Sequence, residues 1–374
     1  MPINLFEYEE LAKKHLSQMA FDYYSSGAWD ELTLRDNRAA FERVKLKPRV
    51  LVDVSDNRNL STSILGQSLQ SPLLVAPMAF QCLAHEEGEI ATARAANKAG
   101  VGMILSTMST KSIEEVATQG NYSDINSSSN NSSSNNSNNT PRWFQLYIHK
   151  DRDLTSNLVK RAYAAGYNAL CLTVDAPVLG QRERDRRNEF TLPAGLNLAN
   201  LASISDLEIP TEHGESGLLL YFAQQLDPAI TWEDLAWLRS LSPLPLIVKG
   251  ILRGDDARRA VEYGAKAIVV SNHGGRQLDG AIASFDALPE IIAAIDSQVP
   301  VLVDGGIRRG VDILKALALG ASGVLIGRPI LWGLAVGGEA GVTHVLEILR
   351  NELSVAMALC GCSRIQDIDL SLVG

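Results

Sequence analysis

From residue 72 onward, short runs rich in Val, Ile and Leu recur at intervals and alternate with longer amphipathic stretches. Eight runs can be counted: Leu73–Ala76, Gly102–Leu105, Trp143–Tyr147, Ala169–Val174, Leu246–Lys249, Ala267–Ser271, Val301–Asp304 and Gly323–Ile326. Their apolar character is nearly continuous, as expected of parallel strands covered on both faces. The stretches between them predict helices over Glu86–Ala99, Ser112–Thr118, Arg152–Ala165, Trp232–Ser240, Gly254–Tyr263, Phe285–Ile295, Gly310–Leu319 and Gly338–Ala358. Eight βα units favour an α/β fold closed as a (β/α)8 TIM barrel over an open, doubly wound sheet.

Residues 72–358 would then form the barrel of a single domain, with residues 1–71 as an N-terminal helical extension. That extension reads as a helix over Ile3–Ser17, continued by Phe21–Gly27, and is placed as a lid on the barrel. Residues 126–139 are only Asn and Ser, a composition that buries too little apolar surface to offset its ordering entropy, so a disordered surface loop is expected. Residues 188–230 form a connection far longer than ordinary βα loops, which points to an active-site loop.

Composition narrows the partners. A net charge of -9 argues against a nucleic-acid surface, and the one basic cluster, Arg182 to Arg187, is interrupted by Glu183 and Asp185. Four cysteines lack the spacing of a zinc site or disulfide framework, so no metal is expected. No apolar run approaches a membrane span and the sequence opens without a basic, apolar leader, so a cytoplasmic protein with no membrane partner is expected.

In a barrel of this kind the chemistry sits at the carboxyl ends of the strands. Those ends are rich here: Ala76-Pro-Met-Ala79, Ser106-Thr-Met108, Gln145-Leu-Tyr147, Thr173-Val-Asp175, Lys249-Gly250, Ser271-Asn-His-Gly-Gly-Arg276, Asp304-Gly-Gly-Ile-Arg308 and Gly327-Arg328. Any one of them is more economically a cap or a turn; eight at one end are hard to assign to folding needs. The last two read as a phosphate site, in which small residues expose backbone N–H groups and arginines add charge-assisted bonds. Either a phosphorylated cofactor or a phosphorylated substrate would satisfy it. Lys249 suits a Schiff-base nucleophile or a fixed positive charge. His273 has small neighbours and the near-neutral pKa of a general base, with Asp175 placed to orient it. Arg182 and Arg276 could grip a carboxylate bidentately, and Tyr24 and Tyr147 could add phenolic bonds.

Ser271-Asn-His-Gly-Gly-Arg-Gln-Leu-Asp279 resembles the signature of the FMN-dependent L-2-hydroxy acid oxidases, the family of glycolate oxidase and lactate oxidase. Tyr23-Tyr-Ser-Ser-Gly27, Arg94-Ala-Ala, Phe144-Gln-Leu-Tyr147, Leu172-Thr-Val-Asp175, Asp304 to Gly310 and Lys315 to Ala321 support it, over a span from about Asn4 to Ile365. The resemblance implies His273 as the base paired to Asp175, Arg276 and Tyr24 as holders of the substrate carboxylate, Tyr147 near the hydroxyl and Arg182 as a mobile arginine. For FMN it implies Pro77, Met78 and Ala79 along the ring, Ser106, Gln145, Thr173 and Ser271 on ring or ribityl chain, and Lys249 facing N1. Asp304, Gly306, Arg308, Gly327 and Arg328 would take ribityl and phosphate.

Plant glycolate oxidases are similar but carry Thr and Trp where this chain has Met78 and Met108, and a smaller aliphatic residue where it has Phe222. Flexible apolar space beside the substrate side chain favours L-lactate over glycolate, with activity on both. The resemblance further implies a 2-oxo acid product, O2 as acceptor with H2O2 released, and a homotetramer. Two rivals were weighed. A quinone-linked dehydrogenase of the same family expects a basic or strongly apolar strand-four loop, whereas Asn200–Glu215 is acidic and mixed. A non-catalytic flavin-binding barrel expects a missing base or broken carboxylate grip.

Overall fold

The computed structural model describes residues 1–55, 58–120, 140–201, 221 and 224–374. The Asn/Ser run, residues 202–220 of the 188–230 connection and Phe222 lie outside these described residues. A hairpin of β1 (Thr62–Ile64) and β2 (Gln67–Leu69) precedes β3 (Leu73–Val75), β4 (Gly102–Leu105), β5 (Arg142–Leu146), β6 (Ala169–Thr173), β7 (Leu246–Ile251), β8 (Ala267–Val270), β9 (Val301–Val303) and β10 (Gly323–Ile326). Strands β3 to β10 pair in parallel with their sequence neighbours, and β10 pairs with β3, so the barrel closes. Each strand falls within two residues of its sequence-predicted bounds.

The strands alternate even though their sequences do not. Leu73 and Val75 pack against the helices, while Leu74 and Ala76 join Ile104, Trp143, Ala169, Cys171, Ile247, Ala267, Val269, Leu302 and Leu325 in a separate core inside the barrel. Both faces are apolar because both are buried, which is why the runs read as continuous. The hairpin plugs the amino-terminal end: Ile64 and Leu69 belong to the inner core, and Trp143 donates its indole N–H to Gln67 Oε1 at 3.1 Å.

Helices α1 (Leu5–His15), α2 (Gln18–Ser25) and α3 (Leu32–Arg43) come first; α4 (Gly88–Ala99), α5 (Ile113–Gln119), α6 (Arg152–Ala164), the short α7 (Glu183–Arg187), α8 (Glu233–Leu241), α9 (Gly254–Glu262), α10 (Ser284–Ile295), α11 (Gly310–Ala318) and α12 (Arg328–Leu359) follow. Three details depart from the sequence reading. The helix read as continuing from Ile3–Ser17 into Phe21–Gly27 is instead two helices, because Ser17 caps α2 by accepting from Ala20 N at 3.2 Å. Helix α3 and the hairpin were not foreseen. Helix α12 starts ten residues earlier than expected and bends at Gly337 and Gly338, so the segment read as a loop before Gly338 is its first limb. Pro329 sits in its first turn, where a missing N–H is harmless.

Candidate active site

The site is built from strand parity. One pleat above the inward-facing Ile104, Trp143, Cys171, Ile247, Val269 and Leu302 stand Ser106, Gln145, Thr173, Lys249, Ser271 and Asp304, so the apolar interior gives way to a polar floor. These groups bond to one another. Ser106 Oγ donates to Gln145 Oε1 at 3.2 Å, and Gln145 Nε2 donates to Thr173 Oγ1 at 3.0 Å. Lys249 Nζ donates to Ser271 Oγ at 3.0 Å and lies 3.4 Å from Asp304 Oδ2. Burial alone would depress Lys249, but the Asp304 and Asp175 carboxylates outweigh it and hold the amine above its ordinary value. A permanently charged ammonium is the wrong state for a Schiff-base nucleophile, so the fixed-charge alternative is the one the geometry favours.

His273 follows β8 in a turn where three successive residues take positive φ: His273 at 59°, Gly274 at 65° and Gly275 at 75°. Its Nδ1 lies 2.8 Å from Asp175 Oδ1. In the neutral ring that bond assigns the proton to Nδ1 and leaves Nε2 as a lone-pair acceptor. Burial lowers the imidazole pKa, and Asp175 only partly restores it, so the ring sits below its usual 6.5. For Asp175, burial pushes upward and the His273 and Lys249 charges more than reverse it. Gly250, at φ 111°, makes room for this pair: a Cβ there would lie 2.6 Å from Asp175 Cβ.

Around this dyad the mouth is cationic. Arg182, Arg276, Arg308 and Arg328 all line it. Among the described residues no carboxylate comes within ion-pair distance of Arg276, Arg308 or Arg328, and Arg182 has only Asp185 at 3.9 Å. Burial, then the neighbouring guanidiniums, pull Arg328 down to about 9; burial followed by Arg276 takes Arg182 to about 10. Backbone carbonyls supply the partners instead. Arg276 Nη1 donates to Tyr23 O and Ser26 O at 2.6 and 3.0 Å, and Arg328 donates to Tyr24 O, Ser26 O and Gly274 O at 2.9 to 3.0 Å.

Of the residues singled out in the sequence, Tyr24, Pro77, Met78, Ala79, Ser106, Met108, Gln145, Tyr147, Thr173, Arg182, Lys249, His273, Arg276, Asp304, Gly306, Arg308, Gly327 and Arg328 line one cavity that, with the open solvent at its mouth included, spans about 1090 Å³. Asp175 and Ser271 stand behind its wall. Ser271 is fully buried, and its hydroxyl accepts from Lys249 Nζ and from His273 N, so it braces these two groups. Tyr24 reaches the mouth, but its hydroxyl donates to Phe80 O at 2.6 Å. Tyr23 was missed. It carries Arg276 over its ring at 4.9 Å and stacks on Phe190 at 4.4 Å, and its only signal was adjacency to Tyr24.

These residues fit FMN. Asp304 Oδ1 is buried with no hydrogen-bond partner among the described residues, and a Cβ built on Gly327 would meet nothing nearer than Ala76 Cβ at 3.8 Å, which leaves open space along the strand ends. The guanidiniums of Arg308 and Arg328, short of counter-charge, suit a phosphate. Gly305 and Gly306 at φ 95° and 78° have a further cause: a Cβ on Gly306 would lie 1.9 Å from Asn37 O, so close packing of α3 demands glycine there.

Residues 12–374 match the FMN-dependent dehydrogenase family. The chain is 72% identical to L-lactate oxidase of Nostoc sp. (strain PCC 7120), over 100% of this chain and 98% of that protein. It is 50% identical to human 2-hydroxyacid oxidase 1 over 98% and 95% of the two chains, and 47% identical to spinach (Spinacia oleracea) glycolate oxidase over 98% and 94%. A crystal structure of mandelate oxidase with (S)-4-hydroxymandelic acid superposes with a TM-score of 0.90 at 41% identity, covering 100% of this chain and 98% of the other. On a match spanning nearly its whole length, the chain belongs to the FMN-dependent dehydrogenase family.

Proposed function

We propose that this protein oxidises small L-2-hydroxy acids, L-lactate foremost, to the 2-oxo acid and passes the electrons to O2 as H2O2. The reading is supported by the 72% identity to an L-lactate oxidase. The observation that carries it is the half-buried His273–Asp175 pair, 2.8 Å apart, at a mouth lined by Arg182 and Arg276.

FMN is the cofactor, and when bound it supplies the two-electron acceptor. Pro77, Met78 and Ala79, with Ser106, Gln145, Thr173 and Lys249, would hold its ring and ribityl chain; Asp304, Gly306, Arg308, Gly327 and Arg328 would hold ribityl and phosphate, with Ser271 acting from behind. Arg276 and Arg182 grip the substrate carboxylate through planar donor forks. Tyr147 bonds near the hydroxyl, and Tyr24 joins the carboxylate once its hydrogen turns away from Phe80 O. His273, neutral at Nε2, takes the proton that the alcohol centre releases, and Asp175 holds the resulting imidazolium. Met78 and Met108 shape the side-chain space as flexible apolar fillers that admit a methyl group. The reading includes a homotetramer in the cytoplasm.

Anaerobic addition of L-lactate, glycolate and D-lactate to purified protein tests it. L-Lactate should bleach the flavin at the lowest concentration, glycolate less readily and D-lactate not at all, and air should restore the colour with one H2O2 per turnover. Bleaching without oxygen uptake would mark a quinone-linked dehydrogenase, and no bleaching by any acid a non-catalytic barrel.

A further inference from the structure

Helix α3 lies outside the barrel, yet its Asn37 is 1% exposed and reaches the turn that carries His273. The two amides bond reciprocally: Asn37 Nδ2 donates to Asn272 Oδ1 at 2.9 Å, and Asn272 Nδ2 donates to Asn37 Oδ1 at 2.8 Å. Neither amide can turn over without loss. Asn272 Oδ1 also accepts from Gly275 N at 3.0 Å, Asn272 Nδ2 also donates to Ile282 O at 3.0 Å, and Asn37 Oδ1 also accepts from Ser284 N at 3.2 Å. Asn272 N is itself tied to Ser284 Oγ at 3.1 Å. Asn272 therefore bridges the turn across His273 through its own bond to Gly275 N, and Asn37, from a different part of the chain, pins Asn272.

The same helical turn meets the glycine loop after β9. Asn37 O is the atom that forbids a Cβ on Gly306, and Arg38 Nη1 donates to Gly306 O at 3.0 Å. Arg38 also pairs with Asp312, whose Oδ2 accepts from Arg308 N and Arg309 N at 2.9 Å. One turn of α3 thus abuts the His273 loop and the loop read as the phosphate site.

We propose that Asn37 is a positioning residue: by pairing with Asn272 it holds His273 in the left-handed conformation that sets its ring against Asp175 and the mouth. A histidine at φ 59° is uncommon, and a turn free of its brace would relax toward negative φ, carrying the imidazole away from its partner. This rests on the reading of His273 as the base.

The test compares Asn37→Ala, Asn272→Ala, the double variant and His273→Ala, each loaded with FMN and checked by circular dichroism. Flavin bleaching at saturating L-lactate under anaerobic conditions is the rate followed. Each single Asn variant should slow it about 10- to 100-fold, the scale of a misplaced catalytic group. The double variant should be no slower than the slower single, because one interaction is lost either way. A crystal structure of Asn37→Ala should show the 2.8 Å His273–Asp175 contact opened. Should Asn37→Ala fail to retain FMN, Asn37→Ser, which keeps a short polar group toward Asn272, should load and bleach more slowly than the parent, and bleaching at the parent rate would overturn the proposal. A purely structural role would lower Tm and flavin content but leave the loaded fraction bleaching at the parent rate; that result, or losses that multiply in the double variant, overturns the proposal. Parent-like bleaching by His273→Ala would overturn the base assignment instead, whereas a dead His273→Ala beside a normal Asn37→Ala would reject the positioning role alone.

Discussion

At the scale of single residues, the proposed chemistry depends on keeping His273 neutral yet basic. Burial favours the uncharged ring and the Asp175 carboxylate opposes it, and burial wins. A base works unprotonated, so kcat/KM should fall as pH drops through the imidazole pKa. Because that pKa is depressed, the acid limb should have its midpoint below 6.5. Asp175→Asn removes the carboxylate charge that raises the pKa, so the midpoint should move still lower. It also replaces an acceptor-only carboxylate with an amide that can donate, so the ring's tautomer is no longer fixed and kcat should fall on the order of 100-fold or more. A pH profile of kcat/KM for L-lactate on both proteins checks both effects; a midpoint that rises in the variant would contradict the electrostatic assignment.

Among elements, the long connection after β6 returns to the barrel at a defined seam. His149 Nε2 lies 3.0 Å from Tyr221 Oη, Lys150 N donates to Gln225 O at 2.9 Å, and Asp227 N donates to Ile148 O at 3.1 Å. Burial drives His149 down to about 4. An unfolded chain would protonate this residue near its ordinary value, so the folded state loses stability as pH falls from about 6.5 toward 4. That loss should amount to roughly 2–4 kcal/mol. His149→Gln should lack it, and urea unfolding of both proteins at pH 7 and pH 4.5 would show it; parallel losses in the two would reject the assignment.

What could be read from the sequence follows the same division. The barrel was legible because buried parallel strands leave apolar runs with polar groups at their ends, and Lys249, Asp304 and His273 could be picked out there. Helix α3 was not, because its buried face is Thr33, Asn37, Ala40 and Phe41, half of it polar, which no apolar periodicity reveals. Ser271 was read as a cofactor contact, since its strand-end position is visible locally, while its burial behind Lys249 is a tertiary fact. Gly306 was read as an anion cradle, and the part played by Asn37 could not be seen without knowing which helix packs there.

Over the whole molecule, a net charge of -9 surrounds a mouth with four inward-facing arginines. Such a funnel draws anions, and much of the stability of the loaded protein should come from filling it. Stripping FMN should lower Tm, and restoring it at 100 times its Kd should return about 2.7 kcal/mol. Differential scanning calorimetry of both forms reads this, and an unchanged Tm would count against the phosphate placement. Among the described residues no helix is long and apolar enough to cross a membrane. The proposed mechanism rests on Nε2 of the His273 imidazole. Rapid anaerobic mixing of L-lactate with parent and His273→Ala protein, both yellow with bound FMN, tests it most directly. The variant should bleach about 100- to 10,000-fold more slowly, the range of general-base catalysis. Bleaching at the parent rate would contradict it.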